Sequence, residues 1–349
     1  MPISIVVGGQ FGSEGKGKVA CFLAESQRAS AVVRVGGPNS GHTVVDGHGA
    51  RYVFRQLPTA AVLPKVACVI AAGSYIDPEV LLGEVELISL DPTRLKIDPK
   101  AVLVTEAFKS QEQAQNLRAR VGSTLTGTGA AVSSRINRTT EVRFAKDEPR
   151  LAPYISDTAE FLYRAVVRGE RVVAEGSQGF GLSVLHSPHF PFVTSRDTTA
   201  SGVLSEIGLS PLLVDEVALV IRAFPIRVPG NSGPLAFETS WDAIADGGRF
   251  DARFSELTSV TQRERRVADF DDEIVRMAIR ANSPTMVFLN HVDYADRAAA
   301  EAGSLTPKAL ALALRIQEQL DRKIDYVGLG PNICEPLASA WSDESRKIP

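Results

Sequence analysis

Cysteine is scarce in this chain of 349 residues, and long apolar runs are absent. The three cysteines, Cys21, Cys68 and Cys334, lie far apart and form no C-x-x-C pair. A scattered, odd set of this kind predicts reduced thiols in a cytosol-like compartment rather than a disulfide framework. No apolar run reaches the ~18 residues that a membrane-spanning helix needs. We therefore predict a cytoplasmic protein that has no membrane partner.

An excess of positive charge is also absent. Lys and Arg number 38 and Asp and Glu number 41, which gives a formal net charge of −3. This balance argues against a dedicated nucleic-acid-binding protein, although a local cluster of arginines can still hold a small anion. Gly at 28 and Pro at 20 are near average usage, which excludes collagen-like and low-complexity chains. With 44% hydrophobic residues, the chain can bury a large core.

Short β-branched runs alternate with helical patterns along the chain. Strands are predicted at 3–7, 31–35, 66–71, 102–105, 172–174, 217–222, 285–289 and 324–327. Helices are predicted at 16–27, 79–90, 158–167, 271–281 and 307–320. This alternation predicts an α/β fold in three layers, with a mostly parallel central sheet and helices on both faces. We expect one domain over residues 1–349, with long, functional loops at 36–58, 122–141, 176–202 and 227–267.

Residues 8–18, GGQFGSEGKGK, place five glycines and two lysines directly after the first predicted strand. A glycine-rich turn that leads into a helix directs backbone N–H groups at an anion, and the helix dipole favours negative charge there. The segment matches G-x-x-x-x-G-K, but Val19 stands where a P-loop has Ser or Thr to hold a metal. The sequence therefore predicts a phosphate-binding loop without that hydroxyl ligand.

Four further segments carry side chains of the kind that bind nucleotides or carboxylates. Residues 36–43, GGPNSGHT, combine a glycine-rich turn with His42, which ordinarily titrates near neutral pH and suits a general acid. Residues 122–129, GSTLTGTG, suit a second phosphate, and the arginines of 261–266, TQRERR, suit a dicarboxylate. Residues 290–293, NHVD, resemble the N-K-x-D element that reads a purine base. Taken alone, the histidine and the arginine cluster are more typical of solvated loops, residues 122–129 fit a flexible loop equally well, and the four-residue match at 290–293 is weak.

Together and in this order, these segments resemble the adenylosuccinate synthetase family. That family's E-G-x-Q-G, V-T-S-x-x-T-T and V-G-x-G-P elements match residues 175–179, 193–199 and 327–331. The resemblance extends from Gln10 to Pro331, which is nearly the whole chain. It implies a P-loop-like α/β fold and a ligase. In such a ligase a nucleoside triphosphate phosphorylates the purine 6-oxygen, and the amine of L-aspartate then displaces phosphate.

The resemblance also implies roles for the matching residues. Four would be catalytic: Ser13, Lys16, His42 and Gln178. Lys16 would hold phosphates, His42 would protonate the donor's leaving oxygen, and Gln178 would bind the purine 6-oxygen. Mg²⁺ would be held at position 13 and by the carbonyl oxygen of Gly41. The donor triphosphate would contact Gly12, Glu14, Gly15, Lys16, Gly17, Gly41, His42, Thr43, Arg265, Asn290, Asp293, Gly328 and Gly330.

The acceptor nucleotide and L-aspartate have implied sites of their own. The acceptor would contact Ser13, Asn39, Ser123, Thr124, Arg138, Gln178, Thr194, Val228 and Arg263. The two carboxylates of L-aspartate would be held by Thr261, Arg263 and Arg265. Arg138 matches the family arginine that reaches the acceptor's 5′-phosphate from the neighbouring subunit, so the resemblance implies a homodimer.

Position 13 departs from the family, which has an aspartate that acts as a base at purine N1 and as a metal ligand. Ser13 has neither the charge nor the basicity for these roles, so a dead enzyme is one interpretation. The rest of the pattern is intact, however, including His42 and Gln178. A smaller, neutral residue leaves room for a 2-amino group and can accept a hydrogen bond from it.

This substitution resembles the phage-encoded branch of the family, the 2-amino-2′-deoxyadenylosuccinate synthases. That branch takes dGMP in place of IMP, towards diaminopurine DNA, and would act in the host cytoplasm. We therefore expect dGMP as the acceptor. The N1 proton would then pass to water or to the phosphoryl group.

Two residues, Asp293 and His291, bear on the identity of the donor. Asp293 fits the family's usual GTP, whereas the phage branch is associated with ATP or dATP and His291 departs from the family lysine; we expect ATP. An ordinary adenylosuccinate synthetase, with IMP and GTP, and a non-catalytic nucleotide-binding protein are the alternatives. Val19 and His291 argue against a GTPase switch. The proline between His186 and His189 argues against a metal hydrolase.

Overall fold

The computed structural model of the chain describes residues 2–251, 254–258 and 262–337. The β-strands of these residues, in chain order, are β1 (Ile3–Gly8), β2 (Ala31–Arg34), β3 (His42–Val45), β4 (Arg51–Phe54), β5 (Ala67–Ile70), β6 (Tyr75–Ile76), β7 (Leu95–Ile97), β8 (Val102–Leu103), β9 (Val172–Gly179), β10 (Val214–Arg222), β11 (Ile226–Arg227), β12 (Glu238–Thr239), β13 (Arg266–Ala268), β14 (Met286–Asn290), β15 (Tyr326–Leu329) and β16 (Ile333–Pro336).

Nine of these strands form the main sheet of the described chain, in the spatial order β16-β15-β14-β10-β1-β9-β2-β5-β7. Neighbouring strands are parallel throughout, except that β16 returns antiparallel to β15 at one edge. The central strand β1 lies between β9 and β10, so the chain leaves the sheet centre in both directions. Such a reversal of strand order opens a crevice at the carboxyl ends of the strands, where ligands bind in α/β sheets.

The α-helices of the described residues connect these strands. They are α1 (Lys16–Ser26), α2 (Pro78–Leu87), α3 (Glu106–Ala114), α4 (Leu117–Val121), α5 (Thr128–Asn137), α6 (Thr158–Val167), α7 (Ala200–Ile207), α8 (Trp241–Gly248), α9 (Asp272–Asn282), α10 (Arg297–Ala302) and α11 (Pro307–Leu320). Most begin after a polar cap: the Asp157 carboxylate accepts the N–H of Glu160 in α6, for example. Helix α1 instead follows Gly15, whose lack of a side chain leaves the first N–H groups of the helix for another partner.

Alternate residues of β1 belong to different core clusters, which shows that both faces of the sheet are covered. Val6 packs with Val19 and Leu23 of α1 on one face. Ile5 and Val7 pack in the larger cluster on the other face, which includes residues of α6, α7, α9 and α11. Successive side chains of a strand point to opposite faces, so the three-layer prediction is confirmed.

The predicted strands and helices are confirmed with small shifts in their ends, and two expectations need correction. Residues 102–105 contribute only β8, which pairs with β6 in a separate small sheet rather than in the main one. The predicted loops are also more ordered than expected, since 122–141 contains α5 and 227–267 contains α8. Helix α5 escaped the sequence pattern because its first N–H groups are capped by Glu112, from another helix.

Within the part of the chain that the structure describes, the search for a helix long and apolar enough to cross a bilayer finds none.

Candidate active site

The predicted phosphate loop follows β1 at the carboxyl edge of the sheet and is closed around a buried carboxylate. Oε1 of Glu14 accepts hydrogen bonds from the N–H groups of Gln10 (3.0 Å) and Gly12 (2.8 Å). Its Oε2 pairs with Nζ of Lys16 at 2.7 Å, and both side chains are almost fully buried. The loop therefore already binds an anion, the carboxylate of Glu14. An incoming phosphate has to compete with Glu14 for Lys16.

Two glycines of this loop adopt backbone conformations that other residues rarely adopt. Gly12 has φ +99°, and a Cβ there would lie 2.7 Å from Oε1 of Gln178. Gly15 has φ +89°, and its Cβ would lie 2.7 Å from Nδ2 of Asn290. A side chain at either position would push the loop away from the residues predicted to read the two nucleotides.

His42 lies behind the phosphate loop and is held by a buried acid that the sequence analysis assigned no role. Its Nδ1 is 2.5 Å from Oε1 of Glu175, whose Oε2 accepts from the N–H (2.8 Å) and hydroxyl (3.0 Å) of Thr59. Burial, and then the charge of Arg34, lower the pKa of His42 to about 4, against the opposing effect of Glu175. The expectation of titration near neutral pH is therefore wrong for the unliganded protein. Nε2 of His42 is buried and has no partner among the described residues, so it is available to a ligand.

The residues predicted to bind the donor's base are joined to the phosphate loop. Nδ2 of Asn290 donates to the carbonyl oxygen of Glu14 at 2.6 Å. Oδ2 of Asp293 accepts the N–H of Gly330 at 3.3 Å, and Nζ of Lys18 donates to the carbonyl oxygen of Gly330 at 3.1 Å. Burial raises the pKa of Asp293, although Lys18 opposes this. Oδ1 of Asp293 is buried and unpartnered within the described chain, so only one carboxylate oxygen is fully available to a ligand.

The remaining predicted donor residues pack into the same region. A Cβ on Gly328 would overlap Oδ1 of Asn290, and a Cβ on Gly17 would lie 2.9 Å from Cβ of His42 and 3.2 Å from the carbonyl oxygen of Thr43. His291 has φ +63°, and burial lowers its pKa well below the ordinary value. The ring at this position is therefore neutral at pH 7, unlike the lysine of the family pattern.

A cavity of about 490 Å³ opens beside the phosphate loop. The predicted acceptor residues line it, with the exception of Arg138: Ser13, Asn39, Ser123, Thr124, Gln178, Thr194, Val228 and Arg263. Gly12, Gly41 and Arg265 also contribute to its wall. The structure thus brings together segments that are far apart in the chain, since Ser13 and Arg263, 250 positions apart, share one cavity.

Two polar side chains in this cavity are free to read a base. The hydroxyl of Ser13 and the amide of Gln178 make no hydrogen bond with any described residue, and both side chains are half-buried. Gln178 also has φ +65°, a strained conformation for a residue with a side chain. Strain of this kind is retained where the surrounding structure enforces it, as at a ligand site. Phe11, next to them, packs under the guanidinium of Arg227, which lies 4.5 Å from the ring centre.

The arginines predicted to hold L-aspartate, Arg263 and Arg265, line the same cavity. Burial lowers the pKa of Arg265, although the charge of Glu256 opposes this. The backbone of Arg265 is fixed, because its carbonyl oxygen accepts from Nε1 of Trp241 at 2.6 Å. A poorly compensated guanidinium fixed in a cavity suits a carboxylate ligand. Thr261, the third predicted residue, lies outside the described residues.

Arg138 is the predicted acceptor residue that does not line the cavity. It is exposed at the end of α5, with φ +55°. A residue that serves the site of another subunit would be placed in this way, and the role of Arg138 in a dimer stays a prediction.

Three functional candidates were missed by the sequence analysis. Glu175 belongs to the E-G-x-Q-G element, but that element does not indicate its contact with His42. The contact arises because β9 carries Glu175 to the imidazole ring. Glu112 holds the N–H groups of Gly127 and Gly129 at the cavity wall. Arg222 ends β10 and gave no local signal at all.

Comparison with known proteins bears on these observations. The family profile described as "Adenylosuccinate synthetase" matches residues 5–147 and 142–300. The adenylosuccinate synthetase of Archaeoglobus fulgidus is 35% identical over 339 residues, which cover 95% of this chain and 97% of that protein. The adenylosuccinate synthetase of Methanocaldococcus jannaschii is 36% identical over 341 residues, with 96% of each chain covered.

Two solved structures share the fold. One is the cyanophage S-2L succinoaminodeoxyadenylate synthetase bound to dGMP and to dATP as an energy donor. It is 27% identical, covers 97% of this chain and 96% of its own, and superposes with a TM-score of 0.80. The other is the fully ligated adenylosuccinate synthetase of Plasmodium falciparum, at 20% identity, 95% and 98% coverage and a TM-score of 0.82. At that identity the second likeness concerns the fold alone.

Proposed function

Because this chain belongs to the adenylosuccinate synthetase family, whose members are ligases that form a C–N bond, we propose that it joins L-aspartate to C6 of dGMP. ATP supplies the phosphoryl group and leaves as ADP. The product is 2-amino-2′-deoxy-N6-succinyladenylate, a precursor of diaminopurine DNA. The observation that carries the choice of acceptor is Ser13, whose small, neutral side chain and unbonded hydroxyl lie in the cavity beside the amide of Gln178.

In the first step the 6-oxygen of the acceptor attacks the γ-phosphorus of the donor. The new O6–P bond forms while the bond from the γ-phosphorus to the bridging oxygen of ADP breaks, and the N1 proton of the purine passes to water or to the phosphoryl group. Lys16 and the N–H groups of the phosphate loop stabilise the charge that develops on the phosphoryl oxygens. Nε2 of His42 faces the leaving oxygen once phosphates bind, and their charge raises the pKa of the ring so that it can act as the acid.

In the second step the amine of L-aspartate attacks C6, the C6–N bond forms, and the C6–O bond breaks to release phosphate. Arg263 and Arg265 hold the two carboxylates and thereby aim the amine, since an attacking atom must lie about 3–3.5 Å from its target. The activation is needed because an amide-like oxygen is a poor leaving group, whereas phosphate is a good one.

The residues present fit a magnesium ion that is held largely by the donor's phosphates. No cluster of three or more His, Cys, Asp or Glu in the described ranges is arranged for a metal. Ser13 and Gly41 nevertheless line one cavity and offer neutral oxygens, which suits an ion that commonly keeps phosphates and waters as ligands. When bound, Mg²⁺ would neutralise charge on the transferred phosphoryl group.

The donor site favours adenine over guanine. An ionised aspartate reads guanine through both oxygens, one for N1–H and one for the 2-amino group. In this chain Oδ2 of Asp293 already accepts the N–H of Gly330, and burial raises the pKa of the carboxyl group. The single available oxygen suits the one exocyclic amine of adenine. The dATP named for the cyanophage structure supports the same choice.

A coupled assay tests the proposal. Purified protein is incubated with L-aspartate, Mg²⁺ and ATP, with dGMP or IMP as acceptor, and the product is identified by mass spectrometry. We expect a succinylated nucleotide from dGMP and little from IMP. Product from IMP alone would make the chain an ordinary adenylosuccinate synthetase, the activity named for its curated relatives. Absence of product from both acceptors, with ATP and with GTP, would indicate a protein that binds nucleotides without catalysis.

A further inference from the structure

Arg222 is a fully buried cation that lies where three parts of the site come into contact. It is the last residue of β10, only 1% exposed, and stands beside Asn290 of β14 in the sheet. The side chain of Gln10, from the phosphate loop, holds its backbone on both sides: Oε1 accepts the N–H of Arg222 at 2.9 Å, and Nε2 donates to its carbonyl oxygen at 3.1 Å. The backbone of Arg222 is therefore fixed to the phosphate loop.

The guanidinium joins that loop to an acidic partner. Nη1 donates to the carbonyl oxygen of Ser13 at 3.0 Å, and Nη2 pairs with Oε1 of Glu256 at 2.5 Å. The hydroxyl of Tyr294, one residue after Asp293, donates to the same Oε1 at 2.7 Å. Burial alone would raise the pKa of Glu256, but Arg222 lowers it to about 2, so the pair is ionised at neutral pH.

Glu256 in turn anchors the segment that carries the two arginines of the aspartate site. Its carbonyl oxygen accepts the N–H of Arg265 at 2.9 Å. Two residues on, the N–H of Thr258 donates to the carbonyl oxygen of Arg263 at 2.8 Å, so the two ends of the segment are bound to each other. Movement of the Glu256 carboxylate would therefore displace both arginines.

We propose that Arg222 is a positioning residue that fixes the aspartate-binding segment relative to the phosphate loop. The inference rests on the proposed ligase reaction but not on the identity of the acceptor base. It assigns Arg222 to the second step, in which the amine must reach C6, and not to phosphoryl transfer, because Lys16 and His42 are held by other partners, Glu14 and Glu175.

The variant Arg222→Lys tests this role. Lysine keeps the charge, but a single ammonium cannot contact the Ser13 carbonyl and the Glu256 carboxylate with the geometry of a planar guanidinium. We expect kcat/KM for L-aspartate to fall by about a hundredfold, the loss typical of a misplacement of about 1 Å, mainly through KM. The KM of the acceptor should rise much less than that of L-aspartate, because the acceptor residues other than Ser13 and Arg263 lie outside the two segments that Arg222 joins.

A second measurement isolates the first step. Donor labelled with ¹⁸O at the β,γ bridge is incubated with the acceptor that the wild type uses and without L-aspartate. Reversible formation of the 6-phosphoryl nucleotide moves the label to a non-bridging position. We expect Arg222→Lys to lose much less isotope exchange than aspartate use, because Lys16 and His42, which serve phosphoryl transfer, are held by Glu14 and Glu175 rather than by Arg222. Glu256→Gln removes the charge of the partner of Arg222. It should likewise impair the use of L-aspartate much more than the isotope exchange.

Arg276→Lys is the matched control, since Arg276 forms an exposed pair with Asp272 on α9 and should behave as the wild type in both assays. Equal losses of isotope exchange and of aspartate use in Arg222→Lys would overturn the proposal, because they would indicate general damage to the site. Wild-type values in both assays would overturn it as well. A wild type that shows neither exchange nor product would contradict the ligase reaction itself, and both proposals would fall together.

Discussion

At the scale of single residues, His42 shows how burial changes an ordinary side chain. Ordinary histidine titrates near 6.5, whereas burial in this fold lowers the pKa of His42 to about 4. Because the unfolded chain binds the proton more tightly, His42 opposes folding as the pH falls through the window from about 6.5 to about 4. We expect the ring to take up a proton when phosphates bind, because their negative charge favours the protonated form.

Nuclear magnetic resonance of the imidazole nitrogens tests this coupling. We expect the His42 resonance, assigned with a His42→Gln variant, to titrate below pH 5 in the unliganded protein. A non-hydrolysable ATP analogue should move the titration upward, because negative charge near Nε2 favours the protonated ring. A titration near pH 6.5 that the analogue leaves unchanged would show that the ring is not buried as described.

Asp293 provides a second prediction at this scale. In asparagine, Oδ1 can keep the hydrogen bond from the N–H of Gly330, which leaves Nδ2 to face the base, where it can donate to N1 of adenine. It cannot accept the two donors of guanine. We therefore expect Asp293→Asn to keep the KM for ATP within about threefold and to lose any use of GTP, as measured by initial rates with each donor. A loss of ATP use that xanthosine triphosphate restores would instead show that the aspartate reads a guanine-type edge.

At the scale of elements, the phosphate loop requires glycine at position 12, where φ is positive and a side chain has no space. In Gly12→Ala the new methyl group would lie 2.7 Å from Oε1 of Gln178, at a φ of +99°. We expect activity to fall to near background and the free energy of unfolding to drop by about 1–3 kcal/mol, as measured by urea denaturation. Gly47→Ala, in the exposed turn between β3 and β4 with no neighbour within 4 Å, is the control and should change neither quantity. Equal effects of the two substitutions would contradict a special role for Gly12.

The sequence predicted the elements whose signals are local. A strand followed by a glycine-rich turn and a helix identifies the phosphate loop, and periodic apolar residues give helices such as α6 and α11 within their observed bounds. Six helices of the described residues escaped prediction: α3, α4, α5, α7, α8 and α10. Helix α5 shows one physical reason, because its first N–H groups are capped by Glu112 from another helix. The link between Arg222 and Ser13 joins residues 209 positions apart, and no local pattern encodes such a contact.

The same distinction applies to the site. The predicted acceptor residues other than Arg138 all line the cavity, because they lie in motifs. Much of the remaining wall, such as Gln111 and Leu117, comes from segments that carry no motif. The residues that hold those side chains in place, Glu175 behind His42 and Glu256 behind Arg265, become visible only when the chain is folded.

At the scale of the whole molecule, the exposed position of Arg138 predicts a site shared between two subunits. Arg138→Leu and Lys16→Ala should each abolish activity alone, the first by removing the contact given to the partner and the second by disabling the subunit's own phosphate loop. When equal amounts are mixed, half of the dimers contain one of each, and one of their two sites is intact. We expect recovery of about a quarter of the wild-type activity. No recovery, with mixed dimers demonstrated by native mass spectrometry, would contradict a shared site.

The most direct test concerns the acceptor and position 13. Wild type and Ser13→Asp are each given dGMP and IMP together, with saturating L-aspartate and ATP, and the two products are quantified in the same sample. We expect the wild type to consume dGMP preferentially. Ser13→Asp should shift the product ratio towards IMP by about 10- to 100-fold, because the carboxylate fills the space beside C2 and restores a charged hydrogen bond at N1. An identical product ratio in the two proteins would contradict the assignment of acceptor choice to Ser13.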